Sequence, residues 1–401
     1  MDDSPASPPE LQSPPRLTPR RLLGRIFILM ILAGLVSWLA PVVLPIRVIE
    51  GPIVQFPEPT HATIVWYTSK PGVTKLVTGN GLETPVLSQN RRHSARLAFA
   101  PSDESITYRI LVGSKQLAEG AVRAPRKRAQ PFSFLLFGDS GRATREQYQL
   151  AAQMVARCSD CDLIVHTGDV VYPGGDRKDY RERFFVPYAP LLGRLSIWPS
   201  LGNHDVSKPH FGEPYREIFE LPANGPQGLL LDENYWFDYG DARFVVLNSN
   251  LEESVLTERV APWLRDTLKD SDATWKFAVF HHPPYSVGKH GSNEVMRRAL
   301  VPALEAGGAD MVFNGHDHTY QRTKPIRGGA LDENGIVYVV SGAGGAALYE
   351  MTPQPQWPDW LAAGTSAKHS FTRVAIDGKN LSLEQFDIDG EKIDAIELRK
   401  H

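Results

Sequence analysis

The chain has 401 residues and a formal net charge of −3 at pH 7. It is long enough for two or three domains with sizeable cores, and it lacks the basic field that a nucleic-acid partner would need. Two cysteines, Cys158 and Cys161, are too few for a disulfide framework. At a helix end they leave room for a local bridge outside the cytosol, and without a matching βαβ context they argue against thioredoxin-like chemistry.

In chain order, residues 1–25 are rich in Pro, Ser and Arg and are expected to form a disordered cytoplasmic tail. From Ile26 to Ile46 runs an apolar stretch broken by Gly34, Ser37 and two late prolines, about the length of a bilayer core. Arg16, Arg20, Arg21 and Arg25 precede it, which places the N-terminus inside and predicts an uncleaved transmembrane helix at 26–46. The rest of the chain is then extracytoplasmic, in the periplasm or at the cell surface, or secreted if the stretch is a cleaved signal. Residues 47–125 read as all-β. His61 to Thr68 and Thr107 to Val112 are β-branched and aromatic runs between turn residues, which predicts a small fibronectin/Ig-like sandwich with Trp66 in its core. Ser94 beside His93 has no acidic partner nearby in sequence, so no catalytic role is expected there.

After a basic, proline-containing linker at 124–131 the pattern changes. Apolar runs at Phe132–Phe137, Leu163–Val165, Phe244–Leu247, Lys276–Phe280, Met311–Phe313 and Ile336–Val340 alternate with helical stretches such as Gln147–Ala156 and Val295–Glu305. That is the α/β signature, and residues 131–401 are expected to form one catalytic domain. After Phe371, strands with Asp-Gly turns predict an antiparallel ending, giving an α/β (α+β) class overall.

Five loops, each following an apolar run, carry the polar residues: Gly138-Asp139-Ser140-Gly141, Gly168-Asp169-Val170-Val171-Tyr172, Gly202-Asn203-His204-Asp205, His281-His282-Pro283-Pro284 and Gly315-His316-Asp317-His318. Carboxylate, phenol, amide and imidazole together suit iron, zinc or manganese rather than calcium. Two metals sharing one ligand need about seven donors. Asp139, Asp169, Tyr172, Asn203, His281, His316 and His318 supply them. His166, inside a strand, reads as a core residue. Any one loop has an ordinary explanation, but five in this order at strand ends do not.

The order of these loops resembles the calcineurin-like metallophosphoesterases, and more closely their purple acid phosphatase branch, over about residues 131–395. Tyr338 to Gly345 is similar to a strand and loop of that family, and the stretch around Gly51-Pro52 and Thr63 to Tyr67 is similar to its N-terminal domain. The resemblance implies a four-layer α/β/β/α sandwich. Generic members carry a His at the position of Gly141; the branch without it has a Tyr three residues after the second Asp, here Tyr172. By resemblance the first metal, Fe(III), takes Asp139, Tyr172 and His318. The second, Fe, Zn or Mn, takes Asn203, His281 and His316, and Asp169 bridges. His204 is then expected to contact the phosphate and His290 to protonate the leaving group, with His281 preferred to His282 on its spacing to His290. The implied activity is an acid phosphatase that uses a metal-activated hydroxide on phosphate esters.

A phosphodiesterase, or a phosphatase for phospholipid or nucleotide esters, is the alternative on the same site. A cell-surface binding module is the non-enzymatic one, and it would require defects among the seven donors. The oligomeric state and physiological substrate are not encoded in any motif. One sequon, Asn380-Leu381-Ser382, weighs less than the scarcity of cysteine, which favours a bacterial envelope protein.

Overall fold

The computed structural model describes residues 27–28, 30–31, 45–58, 60–100, 104–230 and 232–400. Residues 48–401 form one compact unit. The 26–46 stretch expected to be a membrane anchor lies outside the described residues except for 27, 28, 30, 31, 45 and 46. Among the described residues no helix is long and apolar enough to cross a membrane, so the expected transmembrane helix has no counterpart there.

Among the described residues, two large sheets organise the molecule. The first has nine strands in the order Lys392–Arg399, Asn380–Asp387, Ser370–Asp377, Phe132–Phe137, Leu163–His166, Ser196–Pro199, Val48–Glu58, His61–Thr68 and Arg92–Ala98. The second has seven, in the order Tyr235–Tyr239, Ala242–Val246, Trp275–Val279, Met311–Asn314, Val337–Ser341, Tyr320–Thr323 and Leu361–Thr365. The middle strands of both are parallel, as the apolar runs required, because strands buried on both faces read as continuous hydrophobic stretches.

Strand alternation explains how the layers meet. Phe244, Phe277 and Phe313 point toward the first sheet, where their rings lie 5.3–6.1 Å from that of Phe134. Their neighbours Val245, Ala278 and Val312 turn the other way, into a second core with Leu264, Leu268 and Leu304 from the helices Ala261–Lys269 and Val301–Gly307. The helix Arg145–Arg157 buries Leu150, Ala151 and Met154 in the main core. Its N-cap Thr144 accepts the Gln147 backbone N–H.

Two differences from the sequence expectations have local causes, and one point the sequence left open is settled. The helix expected over Val295–Glu305 breaks at Leu300 into Glu294–Ala299 and Val301–Gly307, because Pro302 cannot continue the first ladder. Cys158 and Cys161 are bridged, closing the loop after the Arg145–Arg157 helix. The N-terminal strands also divide between two sheets, one of them shared with the rest of the molecule. Glu83–Ser88, Gly72–Thr78, Ser105–Val112 and Lys115–Arg123 form a separate four-stranded sheet. The Val48–Glu58, His61–Thr68 and Arg92–Ala98 strands instead extend the nine-stranded sheet, through a parallel bridge between Val54 and Ser196. Trp66 is fully buried and stacks on His93. Ser94, for which no acidic partner was expected, donates to Glu220 Oε1 at 3.0 Å. Arg92 already neutralises that carboxylate at 2.6 Å.

Candidate metal centre

All five polar loops leave the carboxyl ends of central parallel strands, three from the first sheet and two from the second, the edge at which α/β sheets bind ligands. They are tied to one another by backbone bonds. Asp139 N–H donates to Gly168 O at 3.0 Å, Ser140 N–H to Asp169 O at 3.3 Å, and Gly315 N–H to His281 O at 3.0 Å. Asp139, Asp169 and His316 adopt left-handed backbone conformations, with φ of 54°, 53° and 70°. Non-glycine residues held there store strain, and such strain gathers at functional sites.

The seven expected donors converge. Tyr172 Oη lies 3.2 Å from Asp139 Oδ1 and 2.9 Å from His318 Nε2. His318 Nε2 is 3.6 Å from Asp139 Oδ1. On the other side Asn203 Oδ1 is 3.0 Å from both His281 Nε2 and His316 Nδ1. His281 Nε2 reaches Asp169 Oδ2 at 3.5 Å and Asp139 Oδ1 at 4.0 Å. Donor atoms of Asp139, Asp169 and His281 fall within 4.8 Å of one another.

Backbone carbonyls set two of the imidazoles. His281 Nδ1–H donates to Thr167 O at 2.9 Å and His318 Nδ1–H to Ala347 O at 2.6 Å, so each Nε2 lone pair faces the cluster. His282 is turned away, its Nδ1 2.9 Å from Ser249 Oγ, and burial pushes it down to about 3.

The electrostatics of the site are unfavourable without a cation. Burial, and then the nearby Asp169, raises the Asp139 pKa well above the carboxylate range. Burial and the two carboxylates likewise raise the Tyr172 phenol. Burial and crowding by other imidazoles lower His316, and burial holds His318 down to about 4. The imidazoles are therefore neutral, as ligands must be, while phenol and carboxylates repel one another's charge. This donor set fits a pair of cations.

Glycines admit the carboxylates. A Cβ at Gly202 would overlap Asp169, and one at Gly315 would overlap Asp139. A Cβ at Gly141 would overlap the Val170 carbonyl, so no side chain fits there, and Gly141 O accepts the Tyr172 N–H at 2.9 Å. The loop that lacks a donor thus holds the residue that brings one.

Both histidines expected to act on substrate lie at the mouth. The His204 backbone N–H donates to Asp169 Oδ1 at 2.8 Å, its Nδ1 contacts Pro173 O at 2.5 Å, and its Nε2 stands 3.9 Å from Asp169 Oδ2. His290 is exposed, with its ring 4.3 Å from that of His316. Asp317 fixes its loop by accepting the His290 N–H at 2.9 Å.

Sequence reasoning passed over three residues. Buried Asp205 accepts the Val170 and Gly202 N–H groups at 2.9 Å each, clamping two ligand loops together. Its place in the Gly202–Asp205 tetrapeptide was the available signal. Tyr349 stacks on His318 at 3.9 Å, and the Arg142 guanidinium covers the Tyr172 ring at 4.5 Å. Neither is marked by any pattern in the sequence.

Known proteins resemble this chain in sequence and fold. Residues 132–320 match the calcineurin-like phosphoesterase family, and residues 335–395 match the iron/zinc purple acid phosphatase-like protein C family. Purple acid phosphatase 17 of Arabidopsis thaliana is 28% identical over 251 residues, covering 56% of this chain and 71% of its own. Purple acid phosphatase 4 of the same plant is 26% identical over 291 residues, covering 65% and 81%. Among solved structures, the purple acid phosphatase PPD1 of yellow lupin (Lupinus luteus) superposes with a TM-score of 0.75 at 19% identity, covering 87% of this chain and 74% of its own. GAP50, described as the anchor in the inner membrane complex of Plasmodium, shares the fold with a TM-score of 0.54 at 16% identity, covering 68% of this chain and 89% of its own. Fold likeness alone therefore does not carry activity.

Proposed function

We propose that this chain, which matches the calcineurin-like phosphoesterase family over residues 132–320 and the iron/zinc purple acid phosphatase-like C family over 335–395, is a phosphatase of the purple acid phosphatase type that hydrolyses phosphomonoesters at a dinuclear Fe(III)–M(II) centre. In this reading Asp139, Tyr172 and His318 would hold the ferric ion, Asn203, His281 and His316 would hold the divalent one, and Asp169 would be shared between them. The single observation that carries it is Tyr172 Oη, within 3.2 Å of Asp139 and 2.9 Å of His318, opposite a position 141 that admits no side chain. When bound, such a pair supplies positive charge that polarises the phosphoryl group and lowers the pKa of water.

The protein's own groups do the rest. Thr167 O and Ala347 O keep the His281 and His318 lone pairs on the cluster. His204, tethered through Nδ1 to Pro173 O, presents Nε2 beside Asp169, and once protonated it donates to the substrate phosphate. His290 stands at the open side of His316, where a leaving alkoxide needs a proton, a contribution of typically ~10²–10⁴-fold. In domain terms the reading assigns 47–125 to a fibronectin/Ig-like module and 131–401 to catalysis. The 26–46 stretch, on its sequence alone, is assigned to an anchor with the catalytic domain outside the cytoplasm.

Metal analysis and a visible spectrum of the purified chain test the reading, together with phosphate release from a monoester and from the matching bis-ester. Iron with a second metal, a visible band that bleaches on strong reduction and disappears in Tyr172→Phe, and faster monoester turnover are expected. An active protein with neither iron nor the band would overturn the ligand assignment. Faster bis-ester turnover would turn the assignment to a phosphodiesterase.

A further inference from the structure

Thr167 stands between the last residue of the Leu163–His166 strand and the Gly168-Asp169 turn, and it is fully buried. Its backbone is committed on both sides. The N–H donates to Phe137 O at 2.9 Å, and the carbonyl accepts the His281 Nδ1–H at 2.9 Å. The hydroxyl, by contrast, has no hydrogen-bond partner among the described residues. A valine has the same shape and suits a strand end equally well, so packing alone does not require the oxygen. A buried hydroxyl left unpaired is costly, and each such group in a folded protein calls for a cause.

The hydroxyl lies behind the ligand Asp139. A Cβ on Gly315 would come within 2.9 Å of Thr167 Oγ1 and would overlap Asp139 Oδ2, so both oxygens border the gap that this glycine leaves. A Cβ on Gly138 would overlap the same hydroxyl. Thr167 Oγ1 is therefore walled by the two loops that carry Asp139 and His316. The two oxygens of Asp139 have different surroundings. Oδ1 faces the cluster, 3.2 Å from Tyr172 Oη and 3.6 Å from His318 Nε2. Oδ2 accepts the His316 N–H at 2.9 Å and, as a carboxylate oxygen, has a second lone pair for another donor.

We propose that Thr167 is a positioning residue of the metal centre, its hydroxyl donating to Asp139 Oδ2 when Asp139 serves as a ligand through Oδ1. The proposal rests on the metal-centre reading and adds to it a residue that touches neither metal nor substrate. A hydrogen bond to the outer oxygen of a ligating carboxylate fixes its orientation and favours its ionised form. It also draws negative charge away from the inner oxygen, which makes the carboxylate a weaker donor to a ferric ion and favours that ion's reduced state.

The test compares Thr167→Val, which keeps the shape and removes the oxygen, with Thr167→Ser, which keeps the oxygen. In the metal-free chain Thr167→Val raises the denaturant midpoint, because an unpaired polar group is gone. The loaded Thr167→Val protein releases its metal at ~10-fold lower chelator concentration, and its visible band moves to shorter wavelength. Its iron midpoint potential falls by roughly tenfold in the reduction equilibrium, ~59 mV for one electron. Thr167→Ser keeps the wild-type band, potential and metal retention. A Thr167→Val protein with the wild-type band and metal retention overturns the proposal. So does a lowered midpoint in metal-free Thr167→Val, which would show the hydroxyl already paired, and so does Thr167→Ser behaving like Thr167→Val. Zinc(II) titration of the metal-free chain separates this proposal from the reading beneath it. A wild type that binds no metal overturns the centre and this proposal with it, whereas wild-type binding that Thr167→Val leaves unchanged overturns this proposal alone.

Discussion

The two ends of the central strands solve the same electrostatic problem in opposite ways. At the amino ends of Phe132–Phe137 and Leu163–His166, buried Asp162 takes Arg126 at 3.0 Å and Arg123 at 3.6 Å, and Asp160 takes Arg373 at 2.6 Å. At the carboxyl ends of the same strands, Asp139 and Asp169 are as deeply buried, and among the described residues no lysine or arginine pairs with either. Burying a carboxylate costs several kcal/mol unless something compensates it. One edge compensates from within the chain. The other leaves the charge for a ligand to answer, which separates a structural ion pair from a functional cluster.

Neutralising one residue at each end is the sharpest way to break the comparison. Asp169→Asn should cut phosphate release by at least ~10³-fold, about 4 kcal/mol of transition-state stabilisation, with loss of bound metal. The same change should raise the stability of the metal-free chain by about 1 kcal/mol, because Asp169 is part of what raises Asp139. Phosphate assays, metal content and denaturant midpoints of the metal-free protein check both signs. A destabilised metal-free variant would mean that Asp169 is a structural carboxylate like Asp162.

The next largest effect concerns His166, fully buried beneath the Asp169 loop, with Nε2 3.0 Å from Ser140 Oγ and Nδ1 accepting the Gly168 N–H at 3.2 Å. Burial pushes it down to about 3. The unfolded chain then binds a proton that the folded one refuses between about pH 6.5 and 3, so stability falls as pH falls through that window. The loss amounts to roughly 3 kcal/mol by pH 4. His166→Asn should flatten this acid limb, read as denaturant midpoints of the metal-loaded protein at pH 7 and pH 4. An unchanged limb would place the acid sensitivity elsewhere.

At the opposite edge Asp162→Ala should cost about 2 kcal/mol, discounted because Arg123 and Arg126 are partly exposed. It strands the Ser133 N–H as well, which Asp162 accepts at 3.3 Å. kcat/KM of the surviving folded protein should stay within about twofold. This is the reverse of the Asp169→Asn pattern, and a large loss of activity would mean that the two ends are not independent.

How much of this was legible follows from the range of each interaction. Strand ends were readable because an apolar run that stops at Gly-Asp or Gly-His announces both the buried strand and its polar loop. The donors lie within a few residues of those stops, so Asp139, Asp169 and His316 could be picked out directly. The bridge from Val54 to Ser196 was not readable, since nothing near either residue marks a partner so far along the chain. Asp205 was visible as a letter but not as a clamp, because its partners Val170 and Gly202 are backbone groups, whose positions only folding fixes. Arg142 and Tyr349 are known only through the rings they cover, so contact geometry alone reveals them.

The smallest effect sharpens the comparison most, because it needs the right reagent. The bridged pair Cys158 and Cys161 lies on the compensated edge, buried, with Arg194 Nη2 donating to Cys158 O at 2.8 Å and Ser133 Oγ 3.6 Å from Cys161 Sγ. So short a closed loop restricts the unfolded chain little, and its loss should cost about 2 kcal/mol at most. A thiol reductant cannot measure this cleanly, since it would attack a ferric ion at the other end of the strands as readily as a disulfide at this one. Replacing both with alanine separates the two effects. The double variant should unfold at lower denaturant, keep its visible band and keep kcat/KM within about twofold. A folded double variant that lost the band or ~10-fold of its activity would show that the edge braces the centre through the strands, and the division between the two ends would no longer hold.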